Sequence, residues 1–183
     1  MKKLSSALLL AAALSATAVS AAPAWTPFQL GIAGTACQLF PEETAVTGLR
    51  LNLVASRNDS VSGVDLGFVS LGSEMQAVRV NLYNGSDYHF SGLEVGLVNN
   101  DTAVSGMAVG LFNTVDGDIS GMQIGVFNRA NVMTGLQIGL FNQATTLRGL
   151  QIGLINIIDD GPVTFLPVLN MAFYSRFPTQ DVP

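Results

Sequence analysis

The sequence predicts an all-β fold: an antiparallel up-and-down meander of about ten strands, built from 14/15-residue repeats and closed as a β-barrel. Three observations predict it. A glycine-punctuated octet recurs eight times. Within each copy, large apolar residues hold every second position, the periodicity of a strand. Beyond the first residues no helical span appears, so any membrane insertion would be by strands.

In chain order, the first element is a leader. Met1, Lys2 and Lys3 give a positive start, residues 8–14 an apolar run, and residues 19–24 small side chains suited to cleavage. This reads as a signal peptide over residues 1–22, followed by a single β-repeat domain over 23–183. The apolar run is shorter than the ~20 residues a spanning helix needs. The lone cysteine, Cys37, lies too far along to carry a lipoprotein lipid and has no disulfide partner in the chain; it is expected as a small buried apolar residue. Cleavage removes both lysines and leaves six arginines against thirteen acids, a net charge of −7. Nucleic acid is therefore not an expected partner, because its phosphates require clustered basic residues.

A strand is expected over residues 28–35, a degenerate relative of the repeat. The copies themselves begin at Gly48, Gly63, Ala77, Gly92, Gly106, Gly121, Gly135 and Gly149. The last two read GLQIGLFN and GLQIGLIN. Successive starts are 15, 14, 15, 14, 15, 14 and 14 residues apart. The near-alternation suggests a true period of two strands, with different turns at the two ends of a meander. The longer connections, such as residues 56–60, 84–87 and 116–118, carry the Asn, Asp and Gly of turn chemistry. A last apolar segment spans residues 163–177, interrupted by Pro167, which suggests an edge, a bulge or a later strand start.

Period-2 geometry separates two faces. Leu136, Ile138 and Leu140 share one; Gly135, Gln137, Gly139 and Phe141 share the other. The central residue of the second face runs Arg50, Asp65, Arg79, Glu94, Ala108, Gln123, Gln137, Gln151 along the eight copies. Neighbouring centres would form opposite-charge pairs and then an amide ladder, setting register or lining a polar lumen. Recurring glycines suit a tightly curved interior, which points the Leu/Ile/Leu face outward, as toward lipid in a membrane barrel. Against this stand an apolar band of only ~13 Å where ~25 Å is usual, and no outward aromatic girdle. Asparagine holds the eighth position in six copies, namely Asn84, Asn99, Asn113, Asn128, Asn142 and Asn156. It is expected to end strands and start turns; in a parallel solenoid the same residues would stack as a ladder.

Catalytic chemistry has almost no supply. With one His, one Cys and no lysine beyond the leader, no nucleophile, base and orienting group can be assembled, and no catalytic, cofactor-binding or metal site is expected. His89 and the acids at 116–118 and 159–160 read as turn residues without the ligand spacing of a metal loop.

The G-L-Q-I-G-L-x-N unit, with residues 40–53 before it and 165–170 after it, resembles a group of uncharacterised exported bacterial proteins with glycine-rich surface-type repeats. The resemblance implies a cell-envelope setting in bacteria with two membranes and supplies no activity. Residues 170–177 are also similar to the aromatic-ended last strand of outer-membrane barrels. The expected function is thus a non-enzymatic, exported, structural or pore-like barrel of the outer membrane, with membrane lipid as its partner. The alternative is a soluble periplasmic or surface barrel or solenoid with a binding or structural role.

Overall fold

The computed structural model describes residues 23–173. The expected signal peptide and the end of the expected last strand lie outside them. The described chain holds nine strands and no α-helix: β1 (Trp25–Gly31), a 3-10 turn (Thr35–Cys37), β2 (Ala45–Val80), β3 (Tyr83–Val95), β4 (Val98–Asp101), β5 (Val104–Val109), β6 (Phe112–Ile124), β7 (Phe127–Ile138), β8 (Phe141–Ile158) and β9 (Phe165–Ala172).

The strands run parallel, which overturns the expected meander. Gly121 pairs with Gly135 and Gly135 with Gly149; Gln123 pairs with Gln137 and Gln137 with Gln151. Like therefore stacks on like, one copy per coil, and the chain winds as a β-solenoid, not a closed barrel. Each coil is flattened. The first part of β7, from Phe127 to Ala130, pairs with Phe112 to Val115 of the coil before, and its last part, from Val132 to Ile138, pairs with Asp118 to Ile124. The antiparallel exception is β9, which lies across the last coil with Gln151 opposite Asn170 and Gly153 opposite Val168.

The spacing of 14 or 15 residues has a different cause from the one expected. Register shifts by one residue between Val115 and Asp118, facing Ala130 to Val132, and between Gly72 and Glu74, facing Ser86 to His89. A 15-residue coil thus carries a bulge, which adds one residue to one strand while the pairing on either side continues. The turn-like residues at 116–118 and 84–87 mark these bulges and adjoining bends, not hairpins.

The two faces separate as alternation requires, but a corner resets the phase. Gly139 and Leu140 form a bend between β7 and β8. After it, Phe141 is half-buried and Asn142 fully buried. Period-2 counting, which puts Phe141 and its counterparts Phe112 and Phe127 on the glycine face, therefore fails at this corner. Phe112 is 50% exposed, and the Phe127 and Phe141 rings stack with centroids 4.8 Å apart along the outside. Cys37, expected inside, is exposed.

Four buried columns fill the coil. Val46, Val61, Met75, Phe90, Val104, Ile119, Met133 and Leu147 form an apolar one, two residues before each copy. Val115, Ala130, Ala144 and Ile158 continue a second apolar column, in which Ser86 and Asp101 precede them. The remaining two are polar.

Candidate functional site: the polar columns and the apolar gutter

The centre row predicted from sequence lies wholly inside: Arg50, Asp65, Arg79, Glu94, Ala108, Gln123, Gln137 and Gln151 are each 0% exposed. Packed against the apolar columns, this row lines no lumen, and the pore-like reading is set aside with the barrel. What it does instead differs between its two halves.

The first half carries charge. Arg50 Nη2 lies 2.7 Å from Asp65 Oδ2, donates to Ser70 Oγ at 2.6 Å, and through Nη1 to the Leu71 carbonyl at 2.9 Å. Asn52 donates to the other Asp65 oxygen. Arg79 bonds Glu94 through Nε at 3.0 Å and reaches Asp101 Oδ1 at 2.5 Å, while its guanidinium sits 4.1 Å above the Phe90 ring. Of the expected charge pairs, Arg50/Asp65 and Arg79/Glu94 form; Asp65/Arg79 does not, because Asp65 is held by Arg50, Asn52 and Ser70.

One cation therefore faces two buried carboxyls. Burial pushes the Glu94 carboxyl well above the usual carboxylate range, and the adjacent Asp101 adds to the rise against the opposing pull of Arg79. A group whose pKa is raised on folding stabilises the fold below its unfolded value, ~4.3 for Glu, and loses that contribution as pH climbs through the folded value. The denaturation midpoint is thus expected to fall from mildly acidic toward alkaline pH. Glu94→Gln is expected to flatten that slope, as read by urea unfolding across the range; an unchanged slope would remove Glu94 as its cause.

The second half is neutral. Gln137 Nε2 donates to Gln123 Oε1 at 2.7 Å, and Gln151 Nε2 to Gln137 Oε1 at 2.8 Å. Each also reaches across the coil to a backbone carbonyl, of Arg129, Gln143 and Ile157 respectively for Gln123, Gln137 and Gln151. The amides thereby tie the two sides of a coil and adjacent coils together. Buried amides are tolerated only when paired in this way.

The asparagines form the fourth column, as a ladder and not as turn residues. Asn84, Asn99, Asn113, Asn128, Asn142 and Asn156 link Nδ2 to Oδ1 at 2.7–2.8 Å along the stack. The second hydrogen of each of the first five goes to the carbonyl that ends the following side of the same coil, as from Asn128 to Ile138 at 2.9 Å. The ladder explains the corner glycine. A Cβ on Gly139 would sit 2.6 Å from Asn128 Nδ2 and 3.0 Å from Asn142 Oδ1.

Sequence reasoning missed the ends of these columns. Gln29, paired with Arg50, is fully buried and exchanges hydrogen bonds with the Phe40 backbone at 2.7 and 3.0 Å. Asn170 is 1% exposed at the other end. Asn52, Asn81, Ser70 and Asp101 also turn inward. Their signal was chemical: each is a polar residue at a position the repeat keeps off the surface.

Outside, the apolar side chains converge on one corner. From Val95 through Ile124 to Ile152 they form one wall, and from Leu97 through Val126 to Leu154 another, with Gly96, Gly110, Gly125, Gly139 and Gly153 as the floor between. The result is an open gutter of about 780 Å³ that runs along the stack, lined entirely by Val, Ile, Leu and Gly. Leu97, Leu111, Leu140 and Leu154 are 47–65% exposed. No group of His, Cys, Asp and Glu able to hold a metal occurs among the described residues, and His89 lies half-buried in β3. No family model, curated protein or solved structure matches the chain.

Proposed function

We propose that the chain is a non-enzymatic, exported cell-envelope protein whose solenoid is a scaffold with a binding role, working through its outward apolar side. One observation carries this: the rows beginning at Leu49, Leu51 and Leu53 stay apolar through all eight copies, yet they face outward, with Leu53, Phe68, Val80, Leu82, Leu140 and Leu154 each at least 45% exposed. A contiguous apolar patch of this kind on a folded chain marks a surface that meets something apolar. The leader pattern supports export. The interior supports a structural, not a catalytic, use of its polar groups, because they are spent on one another.

The test is an apolar dye. The mature chain is expected to bind Nile red with a strong rise in emission. Replacing Leu140 and Leu154 with Arg is expected to lower that binding about tenfold and leave the circular dichroism of the sheet unchanged, since both side chains already stand in solvent. Equal dye binding by the variant would defeat the reading.

A further inference from the structure

We infer that the corner gutter is a binding site for one unbranched acyl chain, a step that rests on the apolar side being the binding surface. Three features select this occupant. First, the cross-section is constant. Five in-register floor glycines about 4.8 Å apart make a trough of about 19 Å, or roughly 24 Å with its end side chains. A polymethylene chain, itself featureless, advances about 1.25 Å per carbon, so about sixteen carbons fill it.

Second, the trough offers no hydrogen bonds. The amides of its floor and far wall are consumed between coils: Gly110 donates to Ile124, Gly125 to Ile138 and Gly139 to Ile152, each at 2.9 Å, and Val126 donates to Leu111 at 3.0 Å. An extended peptide laid there would leave its own N–H and C=O groups unpaired. Hydrocarbon loses nothing.

Third, the floor has a stop. Val168 of β9 lies in register with Gly153, lines the gutter, and is 69% exposed. It is the only non-glycine residue among those described with a positive φ, 71°, a conformation a β-branched residue adopts at a cost. That conformation sets an isopropyl group where each of the five gutter coils has only a glycine.

The other apolar occupants fit less well. The exposed rows turn a corner, so a second copy meets one plane of about 35 by 10 Å, under half of the roughly 800 Å² per partner that a stable interface buries. A chain with thirteen acids against eight basic residues is repelled by an anionic bilayer surface.

The experiment is displacement of Nile red from the mature protein by saturated fatty acids, from about ten to about twenty carbons, below their micellar concentrations. Affinity is expected to rise about twofold per carbon, reflecting partial burial of each methylene, and to level off near sixteen carbons at one chain per protein. Val168→Gly, which removes the stop and relieves the positive φ, is expected to move the plateau to longer chains with the fold intact. Absence of a length dependence, a plateau unmoved by Val168→Gly, adsorption to vesicles without binding of monomeric chains, or a dimer whose formation excludes the fatty acid would each overturn the proposal. Failure of the dye itself to bind would instead overturn the broader reading of the apolar side.

Discussion

Gly121→Ala is expected to lower the thermal midpoint by more than about 6 °C, and to do so without touching any side chain. Gly121 has φ +142°, a region closed to residues with a Cβ. An added methyl would lie 1.8 Å from the Gly106 carbonyl oxygen and 2.8 Å from its carbon. That carbonyl is backbone of the preceding coil, which has no slack of its own, since a Cβ on Gly106 would lie 2.0 Å from the Gly92 carbonyl oxygen, so relief requires displacing several coils. The conformation alone costs about 1–3 kcal/mol. With the backbone displacement added, the total is more than about 3 kcal/mol, against a whole stability of about 5–15 kcal/mol. At about 2–4 °C per kcal/mol for a chain of this size the midpoint shift follows. Gly34→Ala is the control: φ is +67°, but nothing lies within 4 Å of its Cβ, so it should cost only about 1 kcal/mol. The chain already contains one natural comparison. Ala77 opens the third copy and has no positive φ; there Met75, Ala77 and Arg79 are buried in plain alternation. Alanine is tolerated where the coil gives up the glycine conformation. A midpoint for Gly121→Ala close to that of Gly34→Ala would mean the stacked carbonyls can move, contrary to the geometry.

The strands and the identity of the outward face were legible in the sequence because both follow from alternation alone. Strand direction was not, and the charged row shows why. The residue at the centre of a strand faces the centre of its neighbour whether the pair runs parallel or antiparallel, so Arg50/Asp65 and Arg79/Glu94 carry no information about direction. Residues off centre do. Asn128 and Asn142 sit near one end of their octets, and only in a parallel, in-register stack do such residues meet, as they do at 2.8 Å. Six identical amides at one off-centre position were thus the available signal, outweighed by a spacing alternation that arises from a bulge at one bend. The corner at Gly139 and Leu140 hid a second feature. Strict period-2 counting through it places Phe141 inside, whereas the bend shifts the phase by one and seats Asn142 there instead. The gutter was illegible for the same reason, since its two walls lie on either side of that bend.

Arg79→Met is the substitution expected to be the most damaging among the side chains, at about 3–5 kcal/mol, the cost of leaving buried charge without its partner. The guanidinium is 0% exposed and is the shared counter-ion of Glu94 and Asp101. One oxygen of each carboxyl, Glu94 Oε1 and Asp101 Oδ2, already has no hydrogen-bond partner, so the pair has little reserve once Arg79 is gone. Two consequences separate this from simple loss of packing, for which methionine, of similar reach, partly compensates. The variant is expected to regain stability as pH falls through the raised Glu94 value toward the ordinary carboxylate range, and to regain more than the parent chain does, because protonation removes the unpaired charge. Adding Glu94→Gln and Asp101→Asn to Arg79→Met is expected to restore most of the loss, since replacing all members of a buried ionic cluster by neutral groups costs far less than removing one. Urea unfolding of the single and triple variants at acidic and neutral pH decides the matter. If the triple variant is less stable than Arg79→Met alone, the cluster is held by packing and hydrogen bonds, and its charge balance is incidental to the fold.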